Sequence, residues 1–145
     1  MPATSRREVS RAIAALMPNI LRGVQLDFFV KQGVTQTQFL VLMAIHASSR
    51  CTMGALARTI HVSLPTASGI VERLVRAGYV RRRADAHDRR QVVVELTVKS
   101  HSFIQQFQIV VSRRWEEVLR LLDQRELQAF HRVITRLNEQ FTLQR

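Results

Sequence analysis

The chain has one cysteine, Cys51, in 145 residues. A lone thiol excludes an intrachain disulfide framework and any cysteine-based metal cage. Histidine does not fill the gap. His46, His61, His87, His101 and His131 are far apart in sequence, and no two stand at the i, i+4 spacing of helical metal ligands. No metal and no cofactor is therefore expected. Glycine-rich phosphate loops and nucleophile–base motifs are also missing, so the expectation is not an enzyme. No apolar run approaches the length of a membrane span, and residues 1–7 carry no apolar signal core. The expected location is the cytoplasm, with no membrane partner. Acid is scarce: 22 basic residues face 11 acidic ones, for a net charge of +11. Lysine is almost absent, with only Lys31 and Lys99, and the remaining basic residues are arginine.

What is present fits a nucleic acid. Guanidinium is planar and binds phosphate or guanine through two bonds at once. At 46% hydrophobic the chain can bury a core, which argues against disorder. Its length suits one domain, and no internal repeat or low-complexity segment breaks it.

The stretch from Thr52 to Thr97 carries the most information. Thr52 can cap a helix whose inward face is Met53, Leu56, Ala57 and Ile60. His61 and Val62 form a turn. Ser63 can cap a second helix, which tolerates Pro65 in its first turn and stops at Gly78. Ala67, Ile70, Val71 and Leu74 make its buried stripe. Its other face carries Pro65, Thr66, Gly69, Glu72, Arg73 and Arg76, with Ser68 on the flank. Small residues near the helix start let its backbone approach a duplex closely. Two strands follow, residues 79–83 and 91–97, joined by the basic loop 84–90. A helix held against another presents side chains to a major groove, and a basic loop beside it can reach phosphates or the minor groove.

The flanks read as helices. Thr4 or Ser5 with Glu8 resembles a capping box. Val9, Ile13, Leu16, Ile20, Val24 and Phe28 then mark one stripe, ending near residues 31–33. Pro18 inside it should kink the helix or mark a late start. Thr35 with Gln38 is a second box, opening a short helix through Phe39, Leu42, Met43 and His46. Thr97 caps a helix with Phe103, Phe107, Val110, Val111, Val118 and Leu122 on its apolar side. Asp123 with Glu126 is a third box. It opens a helix whose Leu127, Phe130, Ile134, Leu137 and Phe141 alternate at three and four, a coiled-coil-like seam. These terminal helices carry more apolar side chains than a winged unit can cover, so a helical interface between two chains is expected. The fold class is mainly α with a small two-stranded β wing: a winged helix-turn-helix with a helical dimerisation region.

In this order and spacing the chain resembles the MarR family, the multiple-antibiotic-resistance regulators of bacteria. Residues 52–58 look like the family's first helix-turn-helix element. Residues 65–82 are similar to its recognition helix and the start of its wing. Asp88, Arg89 and Arg90, with Leu96 and Thr97 after them, resemble its wing tip and return strand. The likeness implies a single domain over 1–145, with a DNA-binding part at 34–97 and a dimerisation part at 1–33 and 98–145. It implies a homodimer on double-stranded DNA at a pseudo-palindromic operator, acting usually as a repressor. A small, often aromatic, effector releases many members. Carried over by position, Arg90 would enter the minor groove with Asp88 orienting it, and Thr66, Ser68 and Arg73 would touch major-groove bases or phosphates. The full DNA-facing set is Thr52, Ser63, Pro65, Thr66, Ser68, Gly69, Arg73, Arg82, Asp88, Arg89 and Arg90. Ser100 departs from the family, standing where glycine is common.

Some residues keep two readings. Phe28, Phe29, Phe39, Met43 and His46 are either the walls of an effector pocket or ordinary core. Cys51 is a redox sensor or, by the better argument, an inert thiol, because nothing marks a depressed pKa. Arg82 should point away from Arg81 and Arg83, since alternate strand residues face opposite sides. The alternative function is a winged-helix protein-interaction module with an acidic partner.

Overall fold

The computed structural model describes residues 4–48 and 50–143, without the side chains of residues 23, 25–27 and 141–143. The Phe141 side chain of the expected seam, residues 1–3, Ser49 in the loop before the third helix, and residues 144–145 thus lie outside the described residues. The elements run α1 (Arg6–Gln32), α2 (Gln36–Ala47), β1 (Cys51–Thr52), α3 (Met53–Thr59), α4 (Leu64–Arg76), β2 (Val80–Ala84), β3 (Val92–Leu96), α5 (Val98–Leu119) and α6 (Gln124–Leu143). No helix among the described residues is long and apolar enough to cross a membrane.

Local chemistry sets the helix ends. Ser5 and Glu8 close the first capping box: the Ser5 amide donates to Glu8 Oε2 at 2.7 Å and the Glu8 amide to Ser5 Oγ at 3.2 Å. Thr35 with Gln38 and Asp123 with Glu126 close the other two. α1 runs through Pro18 as one helix. At the end of α4, Gly78 takes φ +80°, the left-handed conformation glycine adopts without a Cβ penalty. Tyr79 N–H then reaches the Leu74 carbonyl at 2.9 Å, and Gly78 N–H the Val75 carbonyl at 3.0 Å. α3 ends the same way, with His61 at φ 55° and Val62 N–H on the Ala57 carbonyl at 3.0 Å. The turn between the two helices therefore holds a non-glycine residue in a left-handed conformation.

Two compact units make up the chain. The first comprises residues 22–109 and contains α2, α3, α4 and the whole sheet. Its core is Leu42, Leu56, Ala67, Val71, Leu74, Val80 and Val94, with Val24, Phe28 and Phe29 from α1 and Phe103 and Ile104 from α5. The unit reaches beyond residues 34–97 because these flanking side chains pack into it. The second unit comprises residues 1–21 with 110–145, and in it Trp115 lies 6.4 Å from Phe130, ring centre to ring centre.

The sheet corrects one expectation. It has three antiparallel strands in the order β1-β3-β2, not two. Beside the wing hairpin, Cys51 pairs with Val94 and Thr52 with Val93. A two-residue strand has no periodicity to read, and its partner lies some forty residues on. A second correction falls on α2. Its buried face is Val41, Leu42 and Ile45, while His46 is exposed and Phe39 and Met43 are half-buried.

Candidate nucleic-acid interface

α4 is anchored by the stripe the spacing predicts: Ala67, Ile70, Val71 and Leu74 are all buried. Both ends are held. Ser63 Oγ accepts from the Thr66 amide at 3.2 Å, and the two hydroxyls lie 2.7 Å apart. Lys99 Nζ donates to the Ala77 carbonyl at 2.7 Å and stands 4.4 Å from the centre of the Tyr79 ring. A cation there suits the negative end of a helix dipole. Pro65, Thr66 and Arg73 are left exposed on one helix, with Ser68 and Gly69 half-exposed. Arg73 Nε donates to the Gly69 carbonyl at 3.3 Å, and Arg76 pairs with Glu72. A Cβ built on Gly69 would meet nothing within 4 Å. Glycine inside a helix costs roughly 0.5–1 kcal/mol against alanine, and the chain's own packing gives no reason for it here.

The wing sorts its arginines by strand alternation. Arg81 Nε donates to Glu95 Oε2 at 3.0 Å, and Arg83 Nε donates to the other oxygen of the same carboxylate. Arg82 points the other way and donates to the Ser68 carbonyl at 3.1 Å, linking β2 to α4. At the tip, Arg89 and Arg90 are exposed. The expected role of Asp88 changes form. Its Oδ1 accepts from the Arg90 backbone amide at 3.0 Å and its Oδ2 from Gln91 Nε2 at 3.2 Å. Asp88 thus shapes the turn that carries Arg90 and does not grip its guanidinium.

Sequence reasoning missed the base of this turn. Asp85 is 4% exposed and accepts from Arg50 Nη2 and from the His87 amide, the latter at 3.2 Å. Its own amide donates to the Gln91 carbonyl at 3.0 Å. Arg50 precedes β1, so the pairing joins segments far apart in sequence, and only an acid amid several charges marked it. Thr52 also proves structural: its hydroxyl caps α3 from within the sheet edge, accepting from Ala55 N–H at 3.2 Å.

The five effector-pocket candidates separate. Phe28, Phe29 and Phe39 form an aromatic cluster with Phe103 and Phe107, with ring centres as close as 4.6 Å. Phe28 and Phe29 are core residues. A cavity of about 520 Å³ opens beneath the wing, lined by His46, Arg50, Asp85, His87, Glu95 and His101 among others, and takes in none of the three phenylalanines or Met43. Cys51 also borders it but is buried, and burial pushes its thiol pKa up, the wrong direction for a reactive thiolate. Ser100, the departure from the family pattern, is buried and donates its hydroxyl to the Tyr79 carbonyl.

Glu95 supplies a pH prediction. The hydrogen bond from Arg83, with Arg81 beside it, holds its carboxyl below the usual glutamate range. A depressed folded-state pKa stabilises fully above the unfolded value of about 4.3 and is lost as pH falls through the folded value. Glu95→Gln should therefore cost up to about 1 kcal/mol at neutral pH, as for a largely solvated pair. The gap from the parent chain should close below pH ~4. Urea unfolding at both pH values measures it, and an equal gap at each would exclude the ion pair as its source.

Residues 32–91 match the model described as the MarR family. The chain is similar to the MarR family over that segment. Over 86 residues it is 29% identical to the HTH-type transcriptional repressor YetL of Bacillus subtilis, covering 58% of this chain and 52% of that repressor. The chain thus spans about half the length of that curated relative. A MarR family protein from Bacillus stearothermophilus shares the fold with a TM-score of 0.74 at 22% identity, covering 97% of this chain and 99% of the other. MepR of S. aureus, solved with ethidium bromide bound, superposes with a TM-score of 0.63 at 19% identity over 94% and 96% of the two chains. The matched segment, residues 32–91, contains α2, β1, α3, α4, β2 and the wing turn, and every residue of the expected DNA-facing set falls within it.

Proposed function

We propose that this chain is a MarR-type regulator: a dimeric, sequence-specific DNA-binding transcriptional regulator, acting as a repressor that a small aromatic ligand releases. The observation that carries it is the exposed side of α4, anchored by a complete core stripe, in the same unit as a wing turn bearing exposed Arg89 and Arg90. A net charge of +11 supplies the phosphate attraction. Ser63, Pro65, Thr66, Ser68, Gly69, Arg73, Arg82, Asp88, Arg89 and Arg90 form the DNA-facing set, with Thr52 bracing α3. The reading gives the chain no catalytic role.

Dimerisation is supported by α6, where Phe130, Val133, Ile134 and Leu137 are exposed beside an apolar groove that includes Leu119 and Leu127. A two-fold dimer places two recognition helices on one face of the duplex, with half-sites ~10 bp apart. Selection from random duplex DNA followed by footprinting tests this. One protected inverted repeat is expected, and a protected direct repeat contradicts the arrangement. Ligand release draws support from the half-buried Phe39 and Phe107, whose ring centres lie 4.6 Å apart, and from the ethidium complex of MepR. An effective ligand must bind the released conformation better than the DNA-bound one. Aromatic carboxylates, phenols and aromatic cations should then weaken operator binding, and a broad panel without effect would remove this part.

A further inference from the structure

The open cavity of about 520 Å³ beneath the wing is lined by none of the DNA-facing set. Arg82 donates to the Ser68 carbonyl of α4, and strand alternation turns Arg81 and Arg83 the other way, towards this cavity. Arg50 joins them from the segment before β1. Against these three guanidiniums stand two carboxylates, and both are taken: Asp85 by Arg50, Glu95 by Arg81 and Arg83. One positive charge is left over even with every imidazole neutral. Three imidazoles complete the polar lining, His46 from α2, His87 from the wing and His101 from α5. His46 and His101 stand 6.3 Å apart, ring centre to ring centre, and among the described residues no hydrogen bond engages either ring. An imidazole donates at least one N–H whatever its protonation state, so two donors face the cavity unused. Nor are these rings grouped for a cation: among the described residues no three His, Cys, Asp or Glu side chains are placed to hold a metal ion. The buried Ile45, Cys51 and Val93 supply an apolar part. Such a volume suits a small organic molecule, and free donors with surplus positive charge suit carboxylates. We propose that this cavity binds a small organic anion bearing carboxylates on a compact apolar body, with His46 and His101 donating to it. The site is separate from the aromatic cluster, whose phenylalanines do not line it. It is also independent of the DNA-binding reading, because binding is read on the free chain.

The test titrates phthalate, an aromatic dicarboxylate, into the full chain at constant ionic strength, by calorimetry and by NMR of the imidazole protons. Saturable binding is expected, with the signals of His46, His87 and His101 moving and those of His61 and His131 unmoved. Dimethyl phthalate, which keeps the body and loses the charge, should leave all five signals in place. Inorganic phosphate should bind more weakly than phthalate, because it has nothing to set against the apolar part. His46→Ala combined with His101→Ala should weaken phthalate binding about tenfold, the worth of one or two hydrogen bonds. Both residues are exposed on helices, so the melting temperature of that variant should stay where it is or rise. His101→Glu, which sets a like charge against the ligand, should abolish binding. The absence of saturable phthalate binding would overturn the proposal, as would a double variant that binds as the parent does. Inorganic phosphate bound as tightly as phthalate would reduce the site to a diffuse positive patch. Shifts confined to His131 would move the ligand to the groove on α6 and overturn this placement.

Discussion

Ile134→Glu combined with Leu137→Glu is expected to leave a folded chain that stays monomeric and no longer holds its operator. Both side chains are on α6, 38% and 48% exposed in the single chain, so the substitutions remove little from that chain's own core. In a dimer the same positions would be covered, and four buried carboxylates without partners would each cost several kcal/mol. The loss on DNA follows from linkage. Joining two half-site readers makes the second contact intramolecular, an advantage of about 10²–10⁴ that separate monomers forgo. Light scattering should read one chain mass against two for the parent, with helical circular dichroism retained. Operator affinity should fall by that factor while weak, salt-sensitive attachment to any duplex persists. A double variant that remains dimeric would place the interface elsewhere.

The second large effect concerns the wing. Arg90→Ala should weaken binding to the operator and to unrelated DNA together and lower the salt slope by about one for each wing. An arginine inserted in a narrow minor groove senses its potential more than its base edges. Asp88 makes the sharper test, because charge counting predicts that its removal strengthens binding. Its carboxylate instead holds the Arg90 backbone amide at 3.0 Å, so Asp88→Ala should release the turn and weaken binding. Asp88→Asn retains an oxygen for that amide and discards the charge, and should bind at least as tightly as the parent. Titration of one duplex with all three variants at two salt concentrations separates these cases. Tighter binding by Asp88→Ala would reduce the wing to a diffuse positive patch.

The helices, their ends and the buried face of α4 were legible from the residues alone. Capping boxes act between residues three apart, and Gly78 acts within one turn, so no distant partner was needed to see them. The stripe of Ala67, Ile70, Val71 and Leu74 repeats with the helix, and Arg82 opposes Arg81 and Arg83 because a strand alternates. The same locality made the wing legible as two strands around a basic turn. Features that rest on contacts between distant segments emerged only once the chain had folded. The pairing of Cys51 with Val94 created a third strand, and Arg50 found Asp85 across thirty-five positions to brace the wing. Phe28 and Phe29 became core because Phe103 and Phe107 arrive from α5 to cover them, while His46 fell outside a helix face that Val41 and Ile45 already fill. Asp88, which the sequence puts in the wing turn, accepts from a backbone amide there, since the turn brings that donor within reach of its short side chain. Periodicity and capping are properties of one turn or one strand, whereas a partner's identity depends on where the rest of the chain comes to lie.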